Sequence, residues 1–167
     1  MRSPYKGKQT KEWAAITDKI VKEHPLSTKE IVEVVLSSWS SIFASSIGSK
    51  GFKISKDIFP KPQIMGFFLH ELITLELSAR YPKLWRPEKT SEDKDVVYIL
   101  DDQCSIEIKT SSNPKHIFGN RSYAHGSKKG KKAKSGYYIA INFEKVTDKV
   151  KNPEIKLIRF GWIDEGD

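Results

Sequence analysis

Between Pro82 and Asp95 the apolar residues change period, and no other property of the chain limits its fold as tightly. Before this point, apolar side chains recur three and four residues apart, as on one face of a helix; after it they alternate or run consecutively, as in half-buried or fully buried strands. A chain that switches in this way has to lay helices against a sheet. With 167 residues it is long enough to enclose one core and too short for an array of repeats. The expectation is an α/β architecture in a single domain, 1–167, with residues 1–60 helical and residues 61–167 carrying the core and the sheet.

The punctuation supports this division. Trp13, Ile16, Ile20 and Val21 share a helix face within residues 11–24, and Pro25 ends it. Ser27-Thr28-Lys29-Glu30 is a capping box: the serine hydroxyl accepts from the N3 amide and the glutamate reaches back, ahead of Ile31, Val34, Val35, Trp39, Ile42 and Phe43. Residues 44–62 turn to Ser, Gly, Lys and Pro and read as a loop. A third helix is expected from Pro62 to about Tyr81, stopped by Pro82, with Phe68, Leu69, Leu72, Leu75 and Leu77 toward the core. Residues 95–100 and 104–109, joined by a turn at 101–103, predict a hairpin, and residues 137–143 and 155–163 predict two further strands separated by Pro153. The nearly all-apolar run 137–143 suits the middle of a sheet.

Composition narrows the class. Apolar residues make up 38% of the chain, with 8 Phe, 6 Tyr and 4 Trp, enough anchors to exclude wholesale disorder. The single cysteine, Cys104, excludes an internal disulfide and reads as a small buried thiol, which fits a reducing cytoplasm. No run approaches a membrane span, and Met1-Arg2-Ser3-Pro4-Tyr5-Lys6 leads into no apolar segment, so an unexported protein with no membrane partner is expected.

The net charge of +8 is local. No acidic side chain occurs from Thr110 to Phe143, and the eight cations Lys109, Lys115, Arg121, Lys128, Lys129, Lys131, Lys132 and Lys134 leave 21 basic against 21 acidic residues elsewhere. A cationic stretch of this density suits a polyanion, most commonly nucleic acid, whose condensed counterions it would release; the alternative is a solvated lysine loop. Within it, Arg121 suits a guanine edge, Asn113 or Asn120 an adenine edge, and Ser122 or Tyr123 a phosphate. Lys115, His116 and His125 stand among these candidates for phosphate or base contacts, while Lys128, Lys129, Lys131, Lys132 and Lys134 would grip the backbone without reading sequence.

Chemistry concentrates on the hairpin. Glu107 and Lys109, two apart on a strand, project from one side while Ile106 and Ile108 project into the core. Folding back residues 95–100 brings Asp95 beside them, so two carboxylates and a lysine converge. A hard divalent cation such as Mg²⁺ takes oxygen ligands and keeps several waters, so two carboxylates plus substrate phosphate oxygens make a sufficient site. The competing reading leaves Glu107 and Lys109 on the solvated face of an edge strand, with Asp95 capping a turn. His70 reads as a packed or hydrogen-bonded helix residue.

The pattern Lys94-Asp95…Glu107-Ile108-Lys109 resembles the PD-(D/E)XK nuclease motif, with Lys94 where that family often has proline. The resemblance implies a restriction-endonuclease-like core, a mixed central sheet flanked by helices. It implies Asp95 and Glu107 as ligands of Mg²⁺, with Mn²⁺ as a substitute, the Ile108 backbone carbonyl as a further ligand, and Lys109 as the catalytic lysine. Glu71, on the helix before the hairpin, matches the family's accessory metal or water ligand; an ordinary surface residue is the alternative. Phe118-Gly119-Asn120-Arg121-Ser122-Tyr123 and Ser135-Gly136-Tyr137-Tyr138-Ile139-Ala140 are similar to the ScaI-type group of type II restriction endonucleases. That similarity implies a homodimer cutting a short palindrome in double-stranded DNA, host DNA being guarded by a methyltransferase of the same specificity, with residues 1–60 offering dimer or DNA contacts. The rival readings are a Holliday-junction resolvase or repair nuclease with the same metal site, and a basic nucleic-acid-binding module without one.

Overall fold

The expected helices form where their caps lie. In the computed structural model, which describes residues 3–117, 134–150 and 152–164, α1 spans Thr10–Glu23, α2 Thr28–Ala44 and α3 Pro62–Arg80. The Ser27 hydroxyl accepts from Glu30 N at 3.2 Å and the Glu30 carboxylate accepts from Ser27 N at 3.0 Å, the reciprocal box read from the sequence. Pro62 occupies the first turn of α3, where its missing N–H costs nothing.

Among the described residues five strands form one sheet in chain order: β1 (Trp85–Pro87), β2 (Val96–Tyr98), β3 (Ile106–Ser111), β4 (Gly136–Phe143) and β5 (Ile155–Ile163). β3 and β4 run parallel and every other neighbouring pair is antiparallel, so the sheet is mixed and the basic stretch is the crossover between its parallel strands. β4 is paired on both edges and buried along nearly its whole length, as its apolar run requires. The core joins Ile31, Val34, Val35 and Trp39 of α2 to Met65, Leu69, Ile73 and Leu77 of α3 and to Ile106, Ile108, Ile139 and Ile141 of the sheet. Trp39 also donates its indole N–H to the Pro153 carbonyl at 2.8 Å, fastening the turn before β5. No helix among the described residues is long and apolar enough to cross a membrane.

Four local expectations change. α3 buries the stripe Met65, Leu69, Ile73, Leu77, spaced by four, so Leu75, expected in the core, falls on the opposite side and is 53% exposed. The first hairpin strand stops at Tyr98; Ile99 and Leu100 are exposed, and a 3-10 turn, Asp102–Cys104, leads into β3. Cys104 therefore sits in that turn, half-buried, and not in a strand; partial burial holds its thiol above the ordinary value. β1, an edge strand ending in Pro87, was not expected at all; it exists through pairing of Trp85 with Tyr98 and Pro87 with Val96.

Candidate active site

Two elements bring the acidic groups together. Val96 pairs with Ile106, so Asp95, one step further out, stands beside the Glu107 end of β3. Its Oδ2 accepts the Ile108 backbone N–H at 2.7 Å, a contact that binds the two arms of the hairpin through a side chain. Glu107 is 3% exposed and Asp95 5%. Lys109 Nζ donates to Glu107 Oε1 at 2.6 Å, from a side chain that keeps partial access to solvent. The solvated-edge alternative is excluded for these residues: β3 is an interior strand, paired with β2 on one side and β4 on the other.

The approach to Asp95 is itself anchored. Asp93 Oδ2 accepts from Arg86 Nη1 at 2.8 Å and from the backbone amides of Lys89 at 2.8 Å and Thr90 at 3.3 Å. The Arg86 guanidinium, helped by those amides, holds the Asp93 carboxyl down at about 2. Lys94, the departure from the family pattern, is buried; its ammonium lies 5.1 Å from the centroid of the Tyr138 ring, whose backbone is the register partner of Glu107. Gly136 makes room for it, since a Cβ there would meet Lys94 Cε at 3.3 Å, and the glycine's φ of +147° suits no other residue well.

α3 supplies a group that spacing did not single out as part of the site. His70 Nε2 lies 3.0 Å from Asp95 Oδ2, so His70 is the hydrogen-bonded helix residue expected, and its partner is the candidate metal ligand. That hydrogen bond raises the imidazole's pKa above its ordinary value against the opposing effect of burial. Glu71 is half-exposed; its nearest contact of this kind is His70 Nδ1, 3.9 Å from Oε1. A signal for His70 does exist in the sequence: Gly66, one turn earlier, is an unfavourable residue in mid-helix and marks a close approach. A Cβ at Gly66 would come within 2.5 Å of Thr110 Oγ1 on β3.

Next to this cluster opens a cleft of about 990 Å³, walled by Gly66, Phe67, His70 and Glu71 of α3 and by Thr110, Ser111 and Asn113 of the strand end and its loop. The loop is fixed from beneath. Buried Asn142 donates to the carbonyls of Asn113 at 2.6 Å and His116 at 3.1 Å, and its Oδ1 accepts from Arg159 at 2.8 Å. Asn113 Oδ1 accepts the amides of Lys115 at 2.9 Å and His116 at 3.0 Å, so this side chain holds a turn in place while the Lys115 and His116 side chains are exposed. The Lys134 carbonyl accepts from Tyr138 at 2.5 Å. Asn120, Arg121, Ser122, Tyr123, His125, Lys128, Lys129, Lys131 and Lys132 lie outside the described residues.

The donor set suits a hard cation. Among the described residues no three His, Cys, Asp or Glu side chains form a metal cluster by themselves. An ion here would draw on two carboxylates and a backbone carbonyl and complete its shell with water and phosphate oxygens, the incomplete protein shell that Mg²⁺ tolerates. Two carboxylates this deeply buried are costly without compensation, and the Lys109 ammonium and the hydrogen bond to the His70 imidazole provide part of it.

A family model described as ScaI restriction endonuclease matches residues 3–167. The type II restriction enzyme ScaI of Streptomyces caespitosus is 50% identical over 167 residues, covering 99% of this chain and 73% of the relative. No solved structure matches the chain. Enzymes of this kind are site-specific nucleases of double-stranded DNA and generally depend on a divalent metal. With its hairpin of buried carboxylates and its match to the family along nearly its full length, the chain belongs to the ScaI family of type II restriction endonucleases.

Proposed function

We propose that the enzyme hydrolyses phosphodiester bonds at a short palindromic DNA site with Mg²⁺, or Mn²⁺ in its place, held by Asp95, Glu107 and the Ile108 carbonyl. The observation that carries this reading is the contact from Ile108 N to Asp95 Oδ2 across the hairpin, with Glu107 and Lys109 paired beside it. When bound, the ion supplies positive charge at the scissile phosphate and acidifies water. Lys109, with its ammonium at the rim of the buried pair, holds and orients the attacking water and offsets charge that develops on the phosphate oxygens. Glu107 is held by the pairing of β3 with β4 and Asp95 by the hydrogen bond from Ile108 N, so little reorganisation accompanies the reaction. Glu71, on the cleft wall, is an accessory group for water or metal.

In this reading DNA enters along the cleft and its backbone is gripped by the cationic crossover, Lys115, His116, Arg121, Lys128, Lys129, Lys131, Lys132 and Lys134, with Asn120, Arg121, Ser122, Tyr123 and His125 available to base edges and phosphates. A palindromic site calls for a two-fold protein, so the working form is a cytoplasmic homodimer, and a methyltransferase of matching specificity protects the host's DNA. The test is digestion of unmethylated phage DNA with Mg²⁺ and with EDTA. Discrete, EDTA-sensitive fragments support the reading and reveal the site from their ends. Smearing or nicking supports a structure-specific nuclease instead, and tight binding without cleavage in Mg²⁺ would overturn the reading.

A further inference from the structure

We propose that His70 is a positioning residue for Asp95, and that α3 acts on the metal site through it. The inference rests on the reading of Asp95 as a metal ligand. Asp95 Oδ2 receives two donors from two different elements, the Ile108 amide of β3 at 2.7 Å and the His70 imidazole of α3 at 3.0 Å. One donor fixes a distance and leaves the carboxylate free to rotate about its last torsion. A second donor from another direction fixes the plane of the group, and with it the direction in which its lone pairs point. Groups that hold a ligand in this way are worth about 10- to 100-fold in metal affinity or activity.

The backbone is arranged to make this contact. Gly66 and His70 are four residues apart and share a face of α3. The helix comes down onto β3 at Gly66 so closely that no side chain fits between it and Thr110. That approach sets the height of His70 above the hairpin. His70 lines the cleft, is only partly exposed, and has Glu71 as its outer neighbour, 3.9 Å from Nδ1. Glu71 itself is 51% exposed at its side chain and stands on the outer side of the imidazole.

The experiment compares wild type with His70→Ala, His70→Gln and Asp95→Asn. Mn²⁺ binding is measured directly from the paramagnetic signal of the free ion, alongside the Mn²⁺ concentration that half-saturates cleavage of phage DNA. His70→Ala is expected to weaken both by about 10- to 100-fold, in a variant that stays folded at the assay temperature and keeps its DNA affinity in EDTA. His70→Gln, whose amide can donate to the same oxygen, is expected to recover most of the loss, a rescue that a merely structural role would not give. Mn²⁺ dependence in His70→Ala equal to wild type, or tighter because the imidazole competes with the ion for that oxygen, would overturn the proposal. Asp95→Asn separates the two levels: loss of Mn²⁺ binding in Asp95→Asn with none in His70→Ala overturns the positioning role alone. Undiminished binding in Asp95→Asn overturns the assignment of Asp95 and this proposal with it.

Discussion

On the helix-facing side of β3, Ile106 and Ile108 are 0% and 2% exposed and pack into the common core; on the other side Glu107 is 3% exposed and paired with Lys109. The two faces of one strand are buried almost equally. Their energetics differ. Removing a large aliphatic side chain from water stabilises the fold by about 1.5–3 kcal/mol, whereas a buried ion pair seldom does better than an apolar pair of the same volume. The aliphatic face explains why the strand is there. The charged face contributes little to stability that a valine and a leucine would not, which is the pattern expected if, as proposed, it is there for chemistry.

The two faces should part most widely at Lys109. Lys109→Ala is expected to lower the cleavage rate by about 10³-fold or more, the scale of losing a charge-stabilising group in a desolvated site, with DNA affinity retained in a gel-shift assay. Across the strand the effect changes kind: Ile106→Ala is expected to cost about 2–5 kcal/mol of stability by cavity formation, read from urea unfolding, and to leave cleavage per folded molecule near wild type.

His24 adds to the contrast, as a buried titratable group with a structural job. Its Nδ1 accepts from Leu26 N at 3.1 Å, so Nε2 carries the proton and donates to the Cys104 carbonyl at 3.0 Å, tying the end of α1 to the turn before β3. Burial lowers its pKa, outweighing those backbone contacts. The unfolded chain then takes up the proton first, so stability is at its plateau above about pH 6.5 and falls as pH drops through that value toward the depressed native one. Urea unfolding at pH 7.5 and 5.5 isolates this contribution by difference: lowering the pH is expected to cost wild type more stability than it costs His24→Gln, because the raised pKa of His70 acts the opposite way in both proteins.

The mildest effect belongs to the crossover. Replacing Lys128, Lys129, Lys131 and Lys132 by glutamine is expected to weaken binding equally on all sequences and to flatten its salt dependence by up to about 0.9 in log–log slope for each phosphate left without its cation. The cleavage rate at saturating DNA should not change.

How much of this was legible in sequence follows from the range of the interactions. The Ser27–Glu30 box, the stop at Pro82 and the Glu-x-Lys alternation are local, and each is found where it was read. Asp95 also lands by Glu107, because a short antiparallel connection leaves it few other places. β1 was illegible because three residues bounded by prolines become a strand only when Tyr98 and Val96 pair with them. The partner of His70 was hidden for a related reason. It is 25 residues from Asp95, and the contact depends on how closely α3 settles at Gly66. Leu75 shows the limit of a hydrophobic stripe, since composition marks a helix as apolar while only packing decides which four-residue ladder faces inward.

That the buried carboxylates of the hairpin are the catalytic centre is decided by a side-by-side assay of wild type and Glu107→Gln on unmethylated phage DNA in Mg²⁺, with DNA binding measured on the same samples. A catalytic Glu107 predicts that the variant stays folded, binds DNA and yields no fragments. A Glu107→Gln enzyme that gives the wild-type fragment pattern at the wild-type rate would contradict it.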